Sequence, residues 1–110
     1  MSSRREQIEA MLTDEPQDIF LRYSLAMELK KENRHEDSLG LLRELMAGDP
    51  PHVPSSFMAG QQLAGLQRID EARDVLRQGI DAARSQGDEH AAGEMSDFLN
   101  SLSNFGEQSV

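Results

Sequence analysis

The chain has 110 residues, with 11 Lys and Arg against 20 Asp and Glu, a net charge of −9, and neither Cys nor Trp. That length suits one domain, and the lack of Cys excludes disulfides, iron–sulfur clusters, thiolate zinc and thiol catalysis. The acidity disfavours nucleic acid, whose phosphates call for a basic face, and no apolar run of secretory or membrane-spanning length follows Met1, so a cytoplasmic protein is expected.

Apolar residues recur at spacings of three and four nearly throughout, and no stretch alternates in strand fashion, which predicts an all-α protein. Ser3-Arg4-Arg5-Glu6 reads as a capping box opening a first helix over 3–12, which carries Ile8, Met11 and Leu12. Pro16 ends that segment. A second helix over 17–32 carries Leu21, Leu25 and Leu29, and after the polar break Lys31-Glu32-Asn33-Arg34 a third follows over 35–47 with Leu41, Leu42, Leu45 and Met46. The run Asp49-Pro50-Pro51-His52-Val53-Pro54 is not helical through its middle, since each proline restricts the residue before it. A fourth helix over 54–66 leads through Gly65-Leu66-Gln67-Arg68 to a fifth over 69–86, with Gly87 as a natural stop. A sixth helix over 89–102 completes a single domain over 1–102. Residues 103–110 have little to bury and are expected to form a flexible tail.

Shifted by 34 residues, the sequence aligns with itself in both its breaks and its apolar positions. Ile19 falls on Val53, Tyr23 on Phe57, Leu25 on Ala59, Ala26 on Gly60, Leu41 on Val75, and Arg34-His35-Glu36-Asp37-Ser38 on Arg68-Ile69-Asp70-Glu71-Ala72. Identity between windows 19–52 and 53–86 is confined to Leu29/Leu63, Arg34/Arg68, Leu42/Leu76 and Arg43/Arg77, so the agreement is one of residue class. The register reaches back to Ile8, Met11 and Pro16, which precede Leu42, Leu45 and Pro50 by 34. A period of this length with two helices per unit marks a solenoid, in which each unit buries its face by stacking on its neighbours.

These residues resemble the tetratricopeptide repeat family over 4–86, with 88–102 as a closing helix. The resemblance implies a right-handed α-α solenoid of antiparallel helix pairs, with packing positions at Leu25, Ala26, Leu29, Ser38 and Leu42 and at Ala59, Gly60, Leu63, Ala72 and Leu76. Small residues at 26, 38, 60 and 72 let paired backbones approach closely. The sequence departs from the family pattern at Arg22 and Ser56, where an aromatic is usual, at Leu45 and Gly79, where Ala is typical, and at Arg84, which replaces a proline.

No catalytic constellation emerges. His35, His52 and His90 are far apart in sequence, no glycine-rich phosphate loop is present, and the acidic pairs Glu36-Asp37 and Asp70-Glu71 each open a helix, where the dipole favours them. An enzyme, a metal site and a cofactor are therefore not expected.

The resemblance instead implies partner binding on the concave face lined by the first helix of each repeat. Carried over residue by residue, that face comprises Phe20, Tyr23, Met27 and Lys30, then Phe57, Gln61 and Ala64, joined by Met95 of the last helix. Tyr23 and Phe57 either anchor apolar side chains of a partner or cement neighbouring repeats. Tyr23 and Met27 stand where a clamp for a terminal carboxylate would need Lys and Asn, which disfavours that kind of partner. The expected function is a non-catalytic adaptor holding a peptide segment of another protein. Two alternatives stay open: a small acidic secretion-type chaperone, or a structural subunit that self-assembles, as a homodimer for example, through its terminal helices.

Overall fold

The computed structural model describes residues 3–107, with side chains through Leu102, and contains six helices. They are α1 (Arg4–Asp14), α2 (Ile19–Lys31), α3 (His35–Met46), α4 (Val53–Gly65), α5 (Ile69–Ser85) and α6 (Glu89–Glu107). Five lie within two residues of their predicted boundaries. The sixth runs five residues beyond the predicted end at 102, with no proline to stop it, and positions 108–110 of the expected tail lie outside the described residues.

Local chemistry fixes where the helices start and stop. At α1 the capping box is complete: Ser3 Oγ accepts from the Glu6 amide at 3.1 Å, and the Ser3 amide donates to Glu6 Oε1 at 3.2 Å. Asp18 caps α2 by accepting from the Leu21 amide at 2.9 Å. α2, α4 and α5 all end in one way. Asn33, Gln67 and Gly87 turn left-handed, with φ of 62°, 65° and 75°. The next amides, of Arg34, Arg68 and Asp88, then donate back to the carbonyls of Leu29, Leu63 and Ala83 at 2.9, 2.9 and 2.8 Å.

Each helix packs on the next in sequence, and α4 also touches α6, the contact order of a stacked repeat. The molecule is elongated, 48 × 31 × 18 Å, with a radius of gyration of 14.8 Å against roughly 13 Å for a compact domain of this length. The core is continuous from α2 through α6, whereas α1 buries only Ile8.

Of the packing positions, Ala26, Leu29, Ser38, Leu42, Ala59, Gly60, Leu63, Ala72 and Leu76 are buried, and Leu25 is half-buried. The closest approaches involve two glycines. A Cβ on Gly60 would lie 2.6 Å from Leu76 Cδ2. One on Gly79 would lie 2.5 Å from Ser56 Cβ and 2.6 Å from Met95 Sδ, so Gly79 is where α4, α5 and α6 converge.

The junction between repeats also carries polar stitches. Ser38 Oγ donates to the Ala26 carbonyl at 2.7 Å and lies 3.3 Å from Gln62 Oε1, while Gln62 Nε2 lies 3.0 Å from His35 Nδ1. Both Ser38 and Gln62 are buried, and no buried side-chain polar atom among the described residues lacks a partner. At the surface Arg68 joins Glu36 of the preceding repeat to Glu71, which also meets Arg43 at 3.4 Å. The acidic pairs that open α3 and α5 thus serve as ion-pair partners as well as dipole complements.

Glycine position decides the sign of an alanine substitution. Gly79→Ala is expected to cost about 1–3 kcal/mol, because the added methyl has nowhere to go. Gly40→Ala, at an exposed position in α3 with nothing within 4 Å of the new methyl, should stabilise by about 0.5–1 kcal/mol through helix propensity. Denaturant unfolding of the two variants checks both; equal effects would contradict the packing described.

Candidate partner-binding face

α2, α4 and α6 form a row whose side chains meet across the repeats. Tyr23 of α2 meets the ring of His52, just before α4, in a T-shaped contact with centroids 5.2 Å apart at 69°. Lys30 Nζ lies 4.0 Å from Met58 Sδ, and Phe57 of α4 packs on Phe98 of α6 at 6.2 Å and 57°. Phe20, Tyr23, Met27 and Lys30 follow one face of α2 at helical spacing, as Phe57, Gln61 and Ala64 do on α4.

Exposure differs along that row. Phe20 is 72% exposed and Gln61 is exposed, while Met27 and Lys30 are half-buried beside Lys31 and Met58 around a shallow pocket of about 210 Å³. Tyr23, Phe57 and Ala64 are half-buried against the core. Tyr23 and Phe57 therefore bridge toward the following element and keep part of their surface open, and they do so with different ring partners.

Met95 does not belong to this face. It is wholly buried, with its sulfur against Gly79. The reason is a change of register: α4 starts 53 − 19 = 34 residues after α2, whereas α6 starts 89 − 53 = 36 after α4. At 34 Met95 aligns with exposed Gln61; at 36 it aligns with buried Ala59. The longer α5 and its three-residue turn produce the shift. Ala92 and Leu102 are buried with Met95, while Ala91, Phe98 and Leu99 pack on the core half-buried.

A second concavity of about 320 Å³ lies at the N-terminal ends of α2 and α4, lined by Ile19, Arg22, Glu44, the 48–54 loop, Gln86 and Asp88. Arg22 pairs with Glu44 at 2.9 Å, and Gln86 Nε2 donates to the Pro51 carbonyl at 2.8 Å. Sequence reasoning missed this hollow and the role of Met58. The proline run signalled only a break, and Met58 has no apolar counterpart one period earlier, where Ser24 stands.

Among the described residues no group of three or more His, Asp or Glu could hold a metal ion, and no helix is long and apolar enough to cross a membrane.

Burial shapes the protonation of the Tyr23–His52 pair. It raises the Tyr23 hydroxyl above its ordinary value and lowers His52, whose Nδ1 lies 2.7 Å from Ser55 Oγ. A depressed His52 means that the folded state favours neutral imidazole, so its contribution is complete above about pH 6.5 and is lost as pH falls toward the folded value. The carboxylates held low, Glu6 by hydrogen bonds with Ser3 and Glu71 by Arg68, lose theirs only below 4.5. Stability should therefore decline between about pH 7 and pH 5 in the wild type and decline less in His52→Gln. Urea midpoints across that range check this; parallel slopes in the two proteins would contradict it.

A comparison with models of known protein families finds no match, and neither does one with curated proteins. Solved structures do match. A tetratricopeptide repeat domain protein from Salinibacter ruber, determined in solution, is 34% identical, with 79% of this chain and 88% of that one covered and a TM-score of 0.73. A crystal structure of a tetratricopeptide repeat domain protein from the same organism gives 33% identity, 80% and 99% coverage, and a TM-score of 0.71. A Bordetella parapertussis protein known from a solution structure is 28% identical over 94% of this chain and 90% of its own, with a TM-score of 0.78. The self-alignment at 34 residues, the six stacked helices and these similarities converge: the chain belongs to the tetratricopeptide repeat family, helical repeat scaffolds that generally mediate contacts between proteins.

Proposed function

We propose that this protein is a non-catalytic adaptor that holds a segment of a partner protein along the α2–α4 face. The observation that carries the reading is the row itself. Phe20 stands 72% exposed, with Met27 two turns further along the same face of α2 and exposed Gln61 on α4. Ile19, 49% exposed, stands beside Phe20, and adjoining exposed apolar side chains mark an interaction surface where a lone one would not; rigid helices hold such anchors in fixed register for an extended or helical segment. Met27 and Met58 add surface that adapts to imperfectly matched side chains.

Charge disfavours end-to-end assembly of copies. Residues 1–18 carry 2 − 5 = −3 and residues 87–110 carry 0 − 5 = −5, so the two ends repel. An adaptor working as a single copy is the reading consistent with that distribution.

A photo-crosslinking side chain placed at Gln61 is expected to capture a partner protein from cell extract. The same group at exposed Asp74, on α5, should not. Capture from position 74 alone would place binding on the second helices of the repeats and contradict the proposal.

A further inference from the structure

The α2–α4 face contains one cation whose surroundings are unlike those of its neighbours. Lys30 is half-buried, reaches across to α4, and has Met58 Sδ, at 4.0 Å, as its only polar contact among the described residues. No carboxylate of the described residues pairs with it. The nearest acids in sequence are already engaged: Glu28 holds Lys31 at 3.0 Å, and Glu32 holds Arg5 at 2.9 Å. Position near the end of a helix accounts for a lysine being there, since the dipole favours cations in the last turn. It does not account for an ammonium drawn over an apolar pocket toward a thioether, in a protein of net charge −9 with carboxylates to spare.

The pocket under that ammonium is walled by Met27, Met58 and the aliphatic stems of Lys30 and Lys31. Its volume of about 210 Å³ suits one aliphatic side chain. A thioether is a poor partner for an ammonium, whereas a carboxylate arriving with the apolar side chain would complete the cation's coordination in a partly desolvated setting. From this geometry we infer that the partner presents an internal acidic-apolar pair: a Leu, Ile, Met or Phe side chain in the Met27–Met58 pocket and an adjacent Asp or Glu side chain on Lys30. The inference rests on the proposed binding face and specifies the chemistry it selects. The two ends of the molecule are acidic and disfavour such a segment there, so Lys30 would also fix the register in which the segment lies.

The test is selection from a displayed library of random peptides, with the segment ends blocked so that no terminal carboxylate competes. On wild-type protein, enriched sequences are expected to place Asp or Glu beside an aliphatic or Phe residue. Lys30→Glu is expected to shift enrichment toward Lys or Arg beside the same apolar residue and to weaken the best wild-type peptide by about tenfold or more. Lys30→Gln, the milder change, should weaken it less and reduce the loss of affinity that added salt causes in the wild type. Circular dichroism of both variants is expected to match the wild type, so that any loss of binding is not a loss of helix. Peptides that bind wild type and Lys30→Glu equally but are lost in Phe20→Ser with Gln61→Ala would overturn this inference and leave the binding face standing. No enrichment on the wild type would overturn both.

Discussion

The close approach of helix backbones is the constraint on which the rest of this structure depends. Gly60 leaves no room for a methyl against Leu76, and Gly79 none against Ser56 and Met95. Where side chains are this small, dispersion contacts form along the full length of each pair, and the aliphatic residues on either side, Leu42, Leu63 and Leu76, become completely enclosed. Enlarging one of these positions would separate two helices and expose the apolar faces of both. The approach at Gly79 also brings α4 beside α6, so the spacing of that end of the row is set by residues buried beneath it.

Apolar contact alone does not register one repeat on the next. Ser38, Gln62 and His35 connect α2, α3 and α4 through buried polar atoms whose partners are supplied only in this alignment. A slide along the helix axis would leave at least one of them unsatisfied, a larger penalty than the bonds are worth when formed. Arg68 acts similarly at the surface by joining Glu36 to Glu71. These ion pairs are exposed and contribute little stability individually. Their effect is on alignment, and through it on the relative placement of Lys30 and Met58, which come from different repeats.

Much of this arrangement was legible in the sequence because its causes are local and repeated. The helix start at Ser3 and the stop at Gly87 follow from capping chemistry, and the buried positions follow from the 34-residue period. What the sequence concealed arises where the period breaks. The two-residue shift before α6 converts Met95 from a face position to a core position, and nothing in the local composition of 87–95 announces it. Gln62 is equally opaque, since a glutamine on an amphipathic helix ordinarily faces water and only the presence of Ser38 and His35 opposite gives it a buried role. The Lys30 pocket depends on Met58 from the neighbouring repeat, a pairing that one-dimensional periodicity does not encode. Phe20, by contrast, is 72% exposed at the start of α2.

Stability in this fold arises from nearest-neighbour stacking and peaks where small residues allow three helices to converge. Native-state amide hydrogen exchange tests it most directly, because it reads the opening free energy helix by helix. Amides of α4 and α5 are expected to exchange slowest and as one unit, with α1, which buries only Ile8, exchanging fastest among the helices. Equal protection of α1 and α5, or independent opening of α4 from α5, would contradict it.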